Sequence, residues 1–188
     1  MQEIDIKKVE VGEKFVTIIY AKQEARQGIT MPVTTKRKFP FNIHDELKAA
    51  LDNLKVHFAL ITEAVKVPLN QSFEGITSLQ EMEGFEVTGF EVKKLGDNLG
   101  IIIFGHRKLQ DGRTVKFTTP FINFDIEISD YEHIEALIES LDIAKQEAIE
   151  YINGKFQIQG TQVGVFDTPE ETPVKKLPQK KKPESKAA

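Results

Sequence analysis

The chain resembles itself at a constant spacing. Position n matches position n+84 along an ungapped stretch: Gly12-Glu13-Lys14 against Gly96-Asp97-Asn98, Ile18-Ile19-Tyr20 against Ile102-Ile103-Phe104, and Thr34-Thr35 against Thr118-Thr119. At a spacing of 87 the match runs on into two helical stripes, where Leu47, Leu51, Leu54, Ile61 and Val65 correspond to Ile134, Ile138, Leu141, Ala148 and Ile152. Repetition on this scale implies one supersecondary unit used twice. Alternating strands also resemble one another by chance, so two unrelated strand–strand–helix runs are the competing reading.

Each copy is sheet first and helix second. In the first, Ile4, Ile6, Val9 and Val11 predict a strand with a bulge between Ile6 and Val9, followed by strands over Phe15–Lys22 and Met31–Phe41. In the second, strands are expected over Phe85–Leu95, Leu99–Leu109 and Arg113–Phe124, the last two joined by Gln110-Asp111-Gly112, a strong hairpin signal. Apolar residues at 47, 51, 54, 58, 61 and 65 predict a helix over Leu47–Val65, capped by His44 or Asp45. A second helix is expected over Ile134–Ile152, capped by Ser129 or Asp130 and stopped by Asn153-Gly154. The expected organisation is α+β: a sheet–helix repeat over 1–67, a linker over 68–84, a second repeat over 85–154, strand character over 155–166 and a disordered basic tail over 167–188.

With 188 residues, the chain can bury a core without covalent staples. The absence of cysteine excludes disulfides, thiolate metal sites and cysteine nucleophiles. No apolar run approaches the roughly 20 residues that span a bilayer, and the acidic, alternating start does not resemble a signal peptide; a cytoplasmic protein is expected, in host cytoplasm if it is viral. The net charge of −4 is unevenly spread: +3 over 1–41, −4 over 42–84, +2 over 85–123, −8 over 124–154 and +3 over 155–188. The sheets are basic and the helices acidic, so a mildly negative molecule can still present a positive face to a polyanion.

Alternation divides each strand between two faces. Grouping Phe15 and Ile19 with Met31, Val33 and Phe39 as the core face leaves Tyr20 and Lys22 beside Lys36 and Lys38 on the other. In the second copy Phe104 and His106 lie near Lys116. Aromatics, hydroxyls and amines on one sheet face suit single-stranded nucleic acid, whose bases stack on rings while lysines neutralise phosphates. The nucleic-acid-binding candidates are therefore Tyr20, Lys22, Lys36, Lys38, Phe104, His106 and Lys116. Packing of Tyr20 and Phe104 against a second sheet is the alternative.

A duplicated unit of antiparallel strands and one long helix resembles the Whirly and transcriptional-coactivator class of single-stranded-DNA-binding folds. The resemblance covers residues 3–154, through Phe15–Lys22, Met31–Phe41, Leu47–Val65, Leu99–Leu109, Arg113–Phe124 and Ile134–Ile152. It implies a pseudo-dimer of two units with central helices, binding single strands with little sequence preference and without a cofactor. Two departures stand out. Three strands per copy are legible rather than four, and the Lys-Gly-Lys-Ala-Ala-Leu motif of plant Whirly proteins is absent.

No Walker loop, Gly-x-Gly-x-x-Gly or Gly-x-Ser-x-Gly motif occurs. His44-Asp45-Glu46 fits a helix cap better than a metal cluster, His57 a packing or surface position, and His133 sits among acidic neighbours. A non-enzyme without metal or cofactor is expected, serving replication or recombination on single-stranded DNA, with RNA an open alternative. The other reading is a protein-interaction or structural module, a phage or mobile-element accessory for example. Such a module would form a homo-oligomer or bind a basic partner through its acidic helices.

Overall fold

The β-branched and aromatic runs pair into one antiparallel sheet. A computed structural model describes residues 4–26, 29–40, 43–65, 82 and 84–155. Strands β1 (Ile4–Val11), β2 (Val16–Arg26) and β3 (Ile29–Phe39) form one meander. Strands β4 (Phe85–Leu95), β5 (Asn98–Lys108) and β6 (Thr114–Thr118) form another, and β7 (Ile122–Asn123) returns to β5. The spatial order is β3-β2-β1-β4-β5-β6, so the first strand of each meander lies at the centre. The two meanders meet through a short antiparallel pairing in which Lys8, Val9 and Glu10 face Glu91, Phe90 and Gly89. The fold is α+β, with helices α1 (Asp45–Asp52), α2 (Lys55–Ile61) and α3 (Ile134–Ile152).

The helices pack on one face of the sheet. Their stripe of Leu47, Leu51, Leu54, Phe58, Leu137 and Leu141 is buried with Ile6, Val9, Val16, Ile18, Phe90, Ile101 and Ile103. The Phe58 ring meets Phe85 and Phe117 edge-on. It also lies where a side chain at Gly105 would sit, so this glycine admits the helix to the sheet. Two arginines tie strand to helix end: Arg37 donates to the Ile152 carbonyl at 3.1 Å and Arg107 to that of Ala64 at 3.3 Å. Cations at C-terminal carbonyls satisfy groups the helix leaves open.

Several expectations need correction. The single helix expected over Leu47–Val65 is α1 and α2, broken at Asn53-Leu54. There the Leu54 amide donates to the Leu51 carbonyl three residues back, tightening the turn. The apolar stripe continues across the break, which is why periodicity did not reveal it. Ile61 ends α2 because the Thr62 hydroxyl donates back to the Phe58 carbonyl and Glu63 turns left-handed at φ 51°. The strand expected over Arg113–Phe124 is β6 and β7. Between them Pro120 lacks an N–H, and the Thr119 hydroxyl accepts from the Ile103 amide at 2.9 Å, taking a place in the ladder. The residues preceding α1 and α3 are His44 and His133, neither with a side-chain cap bond; Ser129 Oγ instead accepts from the Tyr131 amide. The helix over Ile134–Ile152 ends as expected, with Gly154 at φ 85°.

The core face of β2 is the opposite of the expected one. Val16 pairs with Phe39 and Ile18 with Arg37, so Val16, Ile18 and Tyr20 face the helices and Phe15 and Ile19 do not. The reason is register: moving the pairing by one residue exchanges the faces. Of the linker expected at 68–84, only Met82 and Gly84 are described; of the strand expected at 155–166, only Lys155 is described, in a turn, and the tail expected at 167–188 lies outside the described residues. Among the described residues no helix is long and apolar enough to cross a membrane.

Candidate nucleic-acid interface

With the helices on one side, the other face of the sheet carries its side chains without a covering element among the described residues. Cross-strand pairing identifies them. Lys38 lies opposite Thr17 and Lys36 opposite Ile19; Lys8 is opposite Ile19 in turn, and Thr17 is opposite Glu10. Across the junction, Gly89 faces both Glu10 and Phe104. Phe104 faces Thr118, and His106 faces Lys116 and Glu86.

Five of the seven sequence-derived candidates therefore share this face: Lys36, Lys38, Phe104, His106 and Lys116. Tyr20 does not. It pairs with Ile6 and Thr35 on the helix side and is 6% exposed, a core residue. Lys22 lies opposite Ile4 and Val33 on that same helix-facing side and forms a 2.8 Å ion pair with Glu24.

Side chains of both meanders surround a depression of about 410 Å³ at their junction, lined by Lys8, Glu10, Thr88, Phe104, His106 and Lys116 among others. Its size lies in the range of ligand-binding clefts. Phe104 is half-buried on its wall, with the Lys8 ammonium 5.1 Å from the ring centroid. Two carboxylates at the rim are engaged: Glu10 pairs with Lys8 at 3.1 Å and Glu86 with His106 at 3.2 Å. Lys116 is exposed at the edge strand. An aromatic face, hydroxyls and ammonium groups in one concavity can stack a planar ring and neutralise an anion beside it.

Sequence reasoning missed two residues of this face. The bulge expected between Ile6 and Val9 is present, between Ile6 and Lys8, and it turns Lys8 to the open face, although the candidates did not include it. Phe15 was placed in the core, whereas the Lys38 ammonium, from the open face, lies 3.6 Å from its ring centroid. The half-buried phenylalanines that do pack on the core are Phe39, Phe117 and Phe124.

The histidine that titrates abnormally lies elsewhere. His57 is fully buried under α3, with Nδ1 2.8 Å from the Tyr131 hydroxyl. Burial, helped by nearby His133, pulls its pKa down to about 4, against the opposing effect of a hydrogen bond with the Ala136 backbone. It is a neutral packing group at pH 7. Among the described residues, no three of His, Asp and Glu gather as a metal site would require. No protein-family model matches the chain, and neither a curated protein nor a solved structure does.

Proposed function

We propose that the open face of the sheet binds single-stranded nucleic acid, without catalysis, in the service of replication or recombination. The observation that carries this reading is Phe104, half-buried in a concavity with Lys8, His106 and Lys116. Stacking of a base on such a ring contributes about 1–3 kcal/mol and tolerates any base. Lys36 and Lys38 extend the cationic surface towards the opposite edge. Tyr20 and Lys22 have no part in it.

We further propose that the two meanders are copies of one unit, arranged as a pseudo-dimer. Support comes from burial and register rather than from the spacing of 84. At a spacing of 81, Ile4, Ile6, Val9 and Val11 align with Phe85, Val87, Phe90 and Val92, and the bulge at Lys7 aligns with that at Thr88. Val9 then stands opposite its own counterpart, Phe90, as a local two-fold axis requires. At a spacing of 85, buried Val16 and Ile18 align with buried Ile101 and Ile103.

The test is fluorescence anisotropy of labelled oligo(dT) with the full chain over a salt series. Binding at low salt, with log affinity falling linearly as log salt rises, is the expected result. No binding to a thirty-nucleotide strand at low salt overturns the proposal. A second reading, a self-assembling interaction module, draws on Leu95, Leu99, Ile126 and Ile128, large apolar side chains left exposed. Sedimentation showing a concentration-dependent oligomer, together with absent nucleic-acid binding, would favour it.

A further inference from the structure

The open face carries two phenylalanines, each beneath a lysine: Phe104 lines the depression, and Phe15 lies beside Gly12, one of its lining residues. Phe104 lies on β5 under Lys8. Phe15 lies just before β2 under Lys38. Gly12 has no side chain, and a Cβ there would come 3.1 Å from the Phe15 ring. Thr88 stands at the β4 bulge, and both Gly12 and Thr88 line the depression.

The separation of the two rings follows from the strand order. From β2 through β1 and β4 to β5 there are three interstrand steps, or about 14 Å at roughly 4.8 Å each. Neighbouring bases in a stacked strand are only about 3.4 Å apart. Bases stacked on each other also cover the faces a phenylalanine would use. Two bases that each lie on one of these rings are therefore not stacking neighbours, and a strand that splays its bases apart can place one on each ring.

On the footing of the nucleic-acid reading above, we infer that this face selects single strands with weak self-stacking, taking pyrimidine-rich strands in preference to oligo(dA), through two separate stacking stations at Phe15 and Phe104. Purine runs must first give up their own stacking; thymine and cytosine runs give up little. In the free protein each ammonium occupies the ring face by cation–π attraction. An arriving base takes that place, and the displaced Lys8 or Lys38 is left beside the phosphate of the same nucleotide.

The experiment compares oligo(dT), oligo(dC) and oligo(dA) of equal length by competition anisotropy, using the full chain and its Phe15→Leu and Phe104→Leu variants. Leucine keeps apolar volume and removes the aromatic face. The wild type is expected to bind dT and dC at least about fivefold tighter than dA, the lower end of one stacking interaction. Each leucine variant is expected to lose most of that preference, with an unchanged melting temperature. Ultraviolet absorbance of oligo(dA) bound to the wild type should rise as its bases unstack, a readout that needs no variant. Equal affinity for dT and dA, or bound oligo(dA) without the absorbance rise, overturns the inference while the interface reading stands. A preference that survives Phe15→Leu overturns the second station. Failure of every strand to bind overturns the inference and the interface reading together.

Discussion

Tyr20 and Phe104 are aromatic residues of similar size on the middle strands of the two meanders, yet they belong to opposite faces of one sheet. Tyr20 lies beneath the helices, 6% exposed, with Ile6 and Thr35 as its cross-strand partners. Phe104 is half-buried on the wall of the depression, with the Lys8 ammonium over its ring. The difference teaches that a ring's role is set by what covers its face. Truncation on the helix side should be felt as lost stability, and on the open side as lost binding.

The largest effect should erase the distinction by breaking the sheet itself. A Cβ at Gly89 would fall 2.1 Å from the Val9 carbonyl oxygen, in the short pairing that joins the meanders. Gly89→Ala should therefore cost more than about 5 kcal/mol of stability, among the exceptional single-residue losses, measured by urea denaturation; both faces should fail together. Next comes Tyr20→Ala, expected to cost about 3–5 kcal/mol of stability through the cavity it leaves. Affinity for oligo(dT), corrected for the folded fraction, should not change. If affinity falls in step with the substitution, the faces are less independent than the packing implies.

His57 sharpens the helix side through pH. Its pKa is about 4 when folded against an ordinary 6.5. Between these values the unfolded chain binds the proton and the folded chain does not, so stability is fully present above pH 6.5. It falls as pH drops towards 4, and the contribution flattens below that. The loss should be roughly 3 kcal/mol, and it should vanish in His57→Leu when melts are compared over pH 4 to 7. The smallest effect on stability belongs to the open face. Phe104→Ala should weaken oligo(dT) binding by about 1–3 kcal/mol, while its loss of stability stays below about 2 kcal/mol, short of that of Tyr20→Ala.

The elements of this fold were legible where one periodicity governed a whole segment. Ile134–Ile152 coincides with the expected bounds because a continuous stripe runs its full length, and Phe85–Leu95 does so because its alternation resumes in the opposite phase after the bulge at Thr88. The break at Asn53-Leu54 was not legible, since Leu54 and Phe58 keep the stripe in phase across it. The split at Pro120 had a signal in the proline, but the hydroxyl of Thr119 that fills the ladder did not. The candidate site was legible in composition and misassigned in face. A spacing of 84 sets Tyr20 against Phe104, whereas the burial pattern aligns Ile19 with Phe104 and Tyr20 with Gly105. That difference of one residue carries a side chain through the sheet. Only cross-strand register resolves it, and register depends on partners that a linear pattern does not name.

The junction between β1 and β4 governs how the chain can reach this structure. Within each meander, strands meet neighbours a short loop away, and such hairpins close in about 1–10 μs. Val9 and Phe90, by contrast, meet across nearly half the chain. Their pairing must offset a large loop-closure entropy before it yields any contact. The two meanders should consequently assemble early and separately, with the central pairing formed late. Substitutions at Val9 and Phe90 should then speed unfolding more than they slow refolding, since each also pairs within its own meander, with Ile18 and Ile103.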